Sequence, residues 1–292
     1  MAPVVTPGGT LFVVATPIGN LGDITVRALE VLRGVPLVAA EDTRLTRRLL
    51  DRYEIAVRTT SFHAQSGPRR IDELLDHLRR GLDLALVTDA GTPVVSDPGA
   101  DLVAAWAAEN GRVVPIPGAS AVLAAVAATG VTGPRWAFEG FLPRSGRERR
   151  ERLARIASDE RGTVLFESPR RVAATLRDLA EACGPERSAA VARELTKIHE
   201  TVTRGTLGDL AAAAREGSIP ARGEFVLVVG HSTFGATASP AAAARAEDAE
   251  VAARAEVERL VASGVARGDA ARRVAEATGL TRRRLYGATP RD

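Results

Sequence analysis

Cysteine, lysine and histidine are scarce in this chain of 292 residues. Cys183 is the only cysteine, so the chain cannot form an intrachain disulfide or a zinc site built on cysteine ligands. The four histidines are scattered without the paired spacing of a metal site, and we expect no metal. The lack of disulfides fits a reducing compartment, and we expect a cytoplasmic protein.

Long apolar segments and the common nucleotide-binding signatures are also missing. Residues 113–134 carry no charge, but prolines and glycines interrupt them. The unbroken part, residues 119–128, is half the ~20 residues that a membrane-spanning helix needs, so we expect no membrane span. No G-x-G-x-x-G motif occurs and no E/D-x-G-x-G stands near the first strand, which argues against an ordinary dinucleotide site and the common Rossmann methyltransferases. A P-loop lysine motif and a G-x-S-x-G elbow are also absent.

Almost all of the positive charge comes from arginine, since Lys197 is the only lysine among 39 basic residues. With 36 acidic residues the formal net charge is only +3, so local clusters are more informative than the total. Arginine is dense in residues 144–155 and 265–292. Each cluster is either a solvated helix face or a phosphate-binding patch. A single lysine among arginines is either a chance survival or an ammonium group whose protonation matters.

Short apolar segments alternate with helical patterns along the chain, which is typical of an α/β fold with a largely parallel sheet. Ligands of such sheets lie beyond the carboxyl ends of the strands. In the first 130 residues, strands are predicted at 11–15, 36–40, 83–88 and 112–116, and helices at 25–33, 68–80 and 99–109. After a hinge at 129–134, strands are predicted at 136–142, 163–167, 189–194, 200–204 and 225–230, and helices at 147–158, 170–182 and 207–216.

The hinge and a small, polar segment at 233–240 divide the chain into predicted domains at residues 1–130, 131–233 and 241–292. The last is a helical extension rich in alanine and arginine. Within it Ala271, Val274 and Ala275 share one helical face, a turn is predicted at 278–280, and a second helix begins at Arg282. This pattern is either a helix-turn-helix that binds nucleic acid or a small helical cap with an arginine-rich exterior.

Loops that follow the predicted strands are rich in glycine, proline and short polar residues. The loop at 88–99 combines two carboxylates, two glycines and two prolines, which favours a ligand loop over a capped turn. The loops at 15–23 and 115–120 also expose backbone groups, although a plain surface loop and a helix cap at Ser120 explain them equally well. A further set of polar motifs lies at 166–171, 193–200 and 222–224.

Several sequence blocks carry a resemblance to a known family. They are VATPIGNLGDIT (14–25), EDTR (41–44), TDAGTP (88–93), SDPG (96–99), FESPRR (166–171) and RELTK (193–197). Residues 8–232 thereby resemble the small-subunit ribosomal RNA methyltransferases of the tetrapyrrole-methylase-like superfamily, and the tail is similar to that family's extension. The resemblance implies two α/β domains with S-adenosylmethionine (AdoMet) in the cleft between them, and a homodimer. It also implies 2′-O-methylation of a cytidine in the decoding region of 16S ribosomal RNA, which we expect to be methylated within the assembled subunit.

The resemblance also implies which residues form the site. Glycine-bearing loops of the first domain suit cofactor binding through backbone contacts, and the second domain supplies the other wall of the cleft. The predicted cofactor-binding residues are Pro17, Gly19, Asp89, Gly91, Thr92, Ser96, Ser120, Phe166, Glu167 and Leu195. The predicted RNA-binding residues are Arg44, Arg144, Arg147, Arg170, Arg282 and Arg283.

Methylation of a ribose hydroxyl requires alignment of the 2′-oxygen with the methyl group and removal of the hydroxyl proton. Lys197 is a candidate base if desolvation lowers its pKa, or it binds a phosphate instead. Glu41 and Glu194 are the other candidate bases.

Three other functions remain open from the residues alone. A tetrapyrrole or other small-molecule methylase of the same superfamily would need neither the basic tail nor the arginine run. A non-catalytic RNA-binding assembly factor would not need so many cofactor-type loops. A helix-turn-helix DNA regulator would explain only the tail.

Overall fold

The N-terminal half, residues 10–130, is built on a parallel sheet of five strands. The computed structural model describes residues 8–232 and 240–278. The strands are β1 Thr10–Val14, β2 Leu37–Ala40, β3 Arg58–Ser61, β4 Leu84–Val87 and β5 Arg112–Ile116. The helices are α1 Val26–Gly34, α2 Thr43–Arg52, α3 Pro68–Arg79, α4 Ala100–Ala108 and α5 Ala121–Thr129, with a 3₁₀ turn at Leu21–Asp23. The strand order is β3-β2-β4-β1-β5, and all neighbours are parallel, as predicted.

Helices cover both faces of this sheet, which explains its continuous apolar strands. β2 and β4 are buried at all four of their positions. On one face the core includes Leu78 of α3 and Trp106 of α4, and on the other it includes Leu32 of α1 and Leu50 of α2. Because every strand runs the same way, the loops that follow β1, β4 and β5 meet at one edge of the sheet.

The sequence does not predict α2 and β3. α2 carries four arginines and buries only Thr46, Leu49 and Leu50, so its apolar pattern is narrow. β3 is a polar edge strand, RTTS, with no fully buried residue. Both elements form because they pack beside β2, and that contact is not visible in local sequence.

The C-terminal half, residues 136–232, carries a mixed sheet. Its strands are β6 Trp136–Phe141, β7 Gly162–Glu167, β8 Ser188–Arg193, β9 Thr201–Thr206 and β10 Phe225–Val229. Its helices are α6 Gly146–Ser158, α7 Val172–Cys183 and α8 Leu207–Arg215. The order is β6-β7-β10-β8-β9, in which only β6 and β7 are parallel. The predicted strands and helices of this half are confirmed to within about two residues at each end.

The two halves share an apolar layer. Val122 and Ala125 of α5 pack in one cluster with Ala190 of β8 and Val226 of β10. The chain divides into two compact units between residues 232 and 233, so both halves lie in the first unit. The expected domain division at residue 130 therefore stays a prediction.

The second unit contains α9 Pro240–Ala262 and α10 Arg267–Thr278. Ala271 and Val274 of α10 are buried in a small core with Val257 of α9, and Ala275 packs against it. The predicted apolar face of α10 is thus confirmed. Pro240 begins α9 rather than ending a linker. The remaining predicted linker residues, most of the predicted turn, the second helix at Arg282 and the residue Arg283 lie outside the described residues.

Candidate active site

A cavity of about 350 Å³ lies where the carboxyl edge of the parallel sheet faces the mixed sheet. The N-terminal half contributes the loops after β1, β4 and β5, and the C-terminal half contributes the ends of β6, β7, β8 and β10. Its size falls in the range of small-molecule sites. The lining residues are Ile18, Ala90, Gly91, Thr92, Val95, Ser96, Asp97, Ser120, Ala121, Val122, Phe141, Phe166, Glu167, Ser168, Ala192, Leu195, Glu224, Phe225 and Val226.

The loop after β4 holds strained backbone at the cavity wall. Val94 has a φ of 77° and Ser96 a φ of 64°. A β-branched residue such as valine rarely adopts this left-handed region, and strain of this kind costs about 1–3 kcal/mol per residue. Two backbone hydrogen bonds between Thr16 and Gly91, of 2.8 and 3.0 Å, fasten the loop to the end of β1. Strain that persists in a fastened loop is typical of a ligand site.

Asp97 brings a carboxyl group with an unusual proton affinity into the cavity. Burial raises its pKa from the usual 3.8 to about 6, and the negative charges of Glu41 and Asp89 act in the same direction. The Thr88 hydroxyl opposes this shift in part. Asp97 therefore loses its proton near pH 6, in the range where a side chain can accept a proton from a substrate and release it again.

Glu41 and Asp89 form the rim next to Asp97. The Asp89 backbone N–H donates to Oε2 of Glu41 at 3.3 Å, and the Asp42 backbone N–H donates to Oδ1 of Asp89 at 2.9 Å. Burial raises the pKa of both carboxyls, although those backbone donors partly oppose it. Within residues 8–232 and 240–278, no group of three or more His, Cys, Asp or Glu side chains is arranged to hold a metal ion.

The opposite wall combines an aromatic surface with a carboxylate whose oxygens already accept hydrogen bonds from neighbouring residues. The Phe166 ring packs on Phe141 with centroids 5.6 Å apart. Glu167 is 3% exposed and accepts hydrogen bonds from the Ser168 backbone N–H at 2.7 Å and the Thr175 hydroxyl at 2.6 Å. Arg171 lies 3.3 Å from the same carboxylate. Glu167 therefore shapes this wall, and its oxygens hold the start of α7 in place.

Lys197 lies in an ion cluster beside the cavity. Its Nζ is 3.0 Å from Oε1 of Glu194 and 3.0 Å from Oε2 of Glu224. Burial lowers the pKa of Lys197, but the hydrogen bonds and charges of the two glutamates outweigh it, so the pKa is raised. The Glu224 backbone N–H and then the Lys197 ammonium lower the pKa of Glu194 against the effect of its burial. The condition for a base role of Lys197, a lowered pKa, is not met, because the paired carboxylates stabilise the ammonium form.

A second, more open hollow adjoins the cavity at this ion cluster, and we call it the groove. Lys197 lies in the groove, whereas its partner Glu224 lines the cavity. Gly19 gives the lysine room, since a Cβ built there would lie 2.4 Å from Cγ of Lys197. The groove residues are Gly19, Asn20, Leu21, Gly22, Arg52, Tyr53, Glu194, Thr196, Lys197 and Ile198.

The structure brings most of the predicted cofactor residues together. Those that line the cavity are Gly91, Thr92, Ser96, Ser120, Phe166, Glu167 and Leu195. Gly19 lies in the groove instead, Asp89 lies on the rim, and Pro17 is buried without lining the cavity. Of the predicted bases, Glu41 lies on the rim, while Glu194 and Lys197 line the groove. The chemical roles of all these residues stay predictions.

Sequence reasoning missed Asp97 and Glu224. Asp97 stands in the SDPG block next to the predicted residue Ser96, and two carboxylates in one loop are the signal that points to it. Glu224 belongs to the polar motif at 222–224, but its contact with Lys197 depends on the register of β10 against β8, which the motif does not reveal.

The predicted RNA-binding arginines differ in their partners. Arg44 is 87% exposed and pairs with Asp42 at 2.6 Å, which lowers the pKa of that aspartate to about 2. Arg147 pairs with Glu151 at 2.5 Å. Arg144 and Arg170 are exposed and make no hydrogen bond or ion pair with the described residues.

The arginine run at 144–155 is only partly available for phosphate. Arg149 is 7% exposed and donates to Asp178, Thr175 and the Pro143 carbonyl. Arg152 pairs with Glu139 at 2.8 Å. These two residues hold α6 against its neighbours, so an interpretation of the whole run as a phosphate patch is wrong.

In the part of the chain that the structure describes, no helix is long and apolar enough to span a membrane.

Known proteins resemble this chain over nearly its whole length. The family model for tetrapyrrole (corrin/porphyrin) methylases matches residues 10–211. The ribosomal RNA small subunit methyltransferase I of Synechocystis sp. is 47% identical, with 95% of this chain and 96% of that protein covered. Its counterpart in Xylella fastidiosa is 42% identical, with 97% and 99% covered.

Solved structures share the fold at lower sequence identity. Cobalt precorrin-4 methyltransferase, a cobalamin biosynthetic enzyme, has a TM-score of 0.58 at 20% identity, covering 76% of this chain and 94% of that one. The uroporphyrin-III C-methyltransferase of Thermus thermophilus, complexed with S-adenyl homocysteine, has a TM-score of 0.56 at 18% identity, covering 76% and 97%. The chain therefore belongs to the tetrapyrrole (corrin/porphyrin) methylase family and, within it, to the group of the ribosomal RNA small subunit methyltransferases I.

Proposed function

We propose that this protein is an AdoMet-dependent methyltransferase that methylates the ribose 2′-oxygen of a cytidine in the decoding region of 16S ribosomal RNA. The observation that carries the proposal is the cavity at the carboxyl edge of the parallel sheet, in a chain that matches ribosomal RNA methyltransferases over 95% and 97% of its length. The substrate is small-subunit ribosomal RNA within the assembled subunit, and the enzyme acts as a homodimer in the cytoplasm. The predicted domains at 1–130, 131–233 and 241–292 are part of the same proposal.

The cavity residues fit AdoMet. Ile18, Val122 and Leu195 offer an apolar surface for an adenosine group, and Phe166 offers an aromatic one. Carboxylates at Asp97 and Glu224 suit the positive charges of a sulfonium and an ammonium group. When bound, AdoMet supplies a methyl group that is already activated on a positively charged sulfur.

The chain's own residues then have to position a hydroxyl and accept its proton. Asp97 is the cavity carboxylate best suited to accept it, because Glu167 is saturated with donors and Glu224 is paired with Lys197. Above pH 6 its carboxylate oxygen can take the proton of the ribose hydroxyl. Lys197, held as an ammonium between two glutamates, orients groups at the junction of cavity and groove and is poorly suited to act as a base.

Transfer of radiolabelled methyl from AdoMet tests the proposed function. Purified small ribosomal subunits, naked ribosomal RNA and a tetrapyrrole precursor are offered side by side. We expect alkali-resistant label in the RNA, with more label in the assembled subunit. Label only in the tetrapyrrole would contradict the RNA substrate and leave the fold and cofactor intact. Such a substrate is the second candidate, because the solved structures that share the fold include tetrapyrrole methylases.

The variant Lys197→Met tests the role of the ammonium. We expect turnover to fall far more than AdoMet affinity. Lys197 lies in the groove, next to the cavity, and does not itself line the cavity in which AdoMet is proposed to bind. Lys197→Arg keeps the positive charge and is the matched control, for which we expect partial activity. Turnover of Lys197→Met equal to that of the wild type would remove Lys197 from the mechanism.

A further inference from the structure

One face of α2 carries a row of arginines that have no role in the proposed methyl transfer. Arg44, Arg48 and Arg52 follow each other at intervals of four residues, so they are neighbours on one face of the helix, about 6 Å apart along its axis. All three are exposed. We call this row the α2 stripe.

The partners of the stripe residues leave the guanidinium groups available. Arg48 makes no hydrogen bond or ion pair with any residue in the described part of the chain. Arg52 likewise makes no hydrogen bond or ion pair with the described residues, and its Cζ lies 5.8 Å from the centroid of the Tyr53 ring. Arg44 is paired with Asp42 at the surface, and exposed pairs of this kind are weak and exchange readily for a phosphate. By contrast, Arg70 and Arg79 on α3 are paired with acids on their own helix.

Both ends of the stripe reach the site. At one end, Arg44 holds Asp42, whose backbone N–H donates to Asp89 on the cavity rim. At the other end, Arg52 lines the groove together with Lys197. The stripe therefore leads along the outside of α2 from the cavity rim to the groove.

We propose that the α2 stripe binds consecutive phosphates of one single-stranded RNA segment, whose flipped-out nucleotide enters the groove towards the cavity. The proposal rests on the proposed function. A ribose inside a stacked helix is out of reach of a buried methyl donor, so the target nucleotide has to leave the stack while the flanking backbone is held outside. Guanidinium groups bind phosphate oxygens in a two-pronged geometry, and a row of them can follow one strand.

Binding of a short fluorescent single-stranded RNA, measured over a series of salt concentrations, tests the stripe without catalysis. The variant carries Arg48→Ala and Arg52→Ala together. We expect its affinity to fall about tenfold or more, since each lost charged hydrogen bond to phosphate removes a strong contact. The slope of log affinity against log salt should become shallower by about 1.4, because each phosphate contact on a single strand contributes ~0.7.

Three controls make the result specific. Arg80→Ala removes an equally exposed arginine at the end of α3 and should change neither the affinity nor the slope. Replacement of Arg48 and Arg52 by lysine keeps the charge and should give an intermediate affinity. AdoMet affinity and the thermal midpoint should be those of the wild type in every variant, which shows that the fold is intact.

The same proteins, assayed for methyl transfer to small subunits, separate two kinds of failure. If the wild type methylates the subunit RNA and the double variant binds and reacts like it, the stripe proposal is overturned and the proposed function stands. If the wild type methylates no RNA, the proposed function fails, and the binding data still decide whether the stripe holds a strand. An equal loss of affinity for double-stranded RNA would overturn the single-strand assignment.

Discussion

Arginine clusters in the two halves of the first unit differ in their partners. On α6 of the C-terminal half, Arg149 is buried and bound to Asp178, and Arg152 is bound to Glu139. On α2 of the N-terminal half, Arg48 and Arg52 lie in solvent beside the site. The two α6 arginines hold their helix against its neighbours, whereas Arg48 and Arg52 of α2 are left free beside the cavity and groove. A cluster of arginines in a sequence is therefore not evidence of phosphate binding until the partners of each one are known.

The sharpest test of the N-terminal half is Asp97→Asn. If this carboxylate accepts the hydroxyl proton, the maximal rate should fall by about 10²–10⁴, a larger change than the weakening of AdoMet binding that follows from the loss of one negative charge. Asp101→Asn, an exposed aspartate at the start of α4, is the control and should keep the wild-type rate. Methyl transfer under saturating substrate measures both. A rate for Asp97→Asn within a few-fold of the wild type would show that its carboxylate does not take the proton.

The matching test of the C-terminal half is Arg149→Met. Removal of one member of a buried ion pair leaves Asp178 without its partner and should cost about 3 kcal/mol of unfolding free energy. Urea unfolding measures this loss, and methyl transfer per folded molecule should stay unchanged. Arg150→Met, the exposed neighbour, should change stability by less than ~0.5 kcal/mol. Equal effects at the two positions would show that the buried pair with Asp178 contributes no more to stability than an exposed arginine of the same helix.

The smallest effect concerns the pH dependence of the rate. Asp97 has a raised pKa, so it is protonated below about pH 6 and the rate should rise as pH passes upward through that value. Glu41→Gln removes a negative charge that raises the pKa of Asp97, so the rising limb should move to lower pH. A rate profile from pH 5 to 8 measures the limb. A limb that stays in place would mean that another group controls it.

The raised pKa of Asp97 also makes the stability of the fold depend on pH. The folded-state pKa of Asp97 lies above its usual 3.8, so the folded state binds a proton more tightly than the unfolded chain does. The contribution of Asp97 to stability is therefore greatest below pH 4 and is lost as pH rises through about 6. The pH that favours the proposed chemistry is the pH at which this carboxyl group costs stability, as in other sites with shifted pKa values.

Local sequence predicts those parts of the fold that have a strong apolar pattern. β1, β4 and β5 were predicted to within one or two residues because they are short, apolar and bounded by loops. Local sequence does not predict β3, because a polar edge strand exists only through its pairing with β2.

The site was predictable as a set of loops and less so as individual contacts. The loop at 88–99 was recognised, but the direction of each side chain depends on backbone angles such as the φ of Val94, which composition does not reveal. Glu167 was recognised as a wall residue, yet its saturation by Ser168 and Thr175 depends on where α7 begins. The state of Lys197 depends on Glu224, which is distant from it in sequence.

The contact between Gly19 and Lys197 has an evolutionary consequence. The lysine stem lies directly on the glycine backbone, so a side chain at position 19 and a long side chain at position 197 cannot occupy this space together. A lineage that acquires any other residue at 19 has to shorten or redirect residue 197 as well. A residue other than glycine at position 19 is therefore expected only together with a shorter or redirected side chain at position 197, whereas position 197 can vary while glycine is kept.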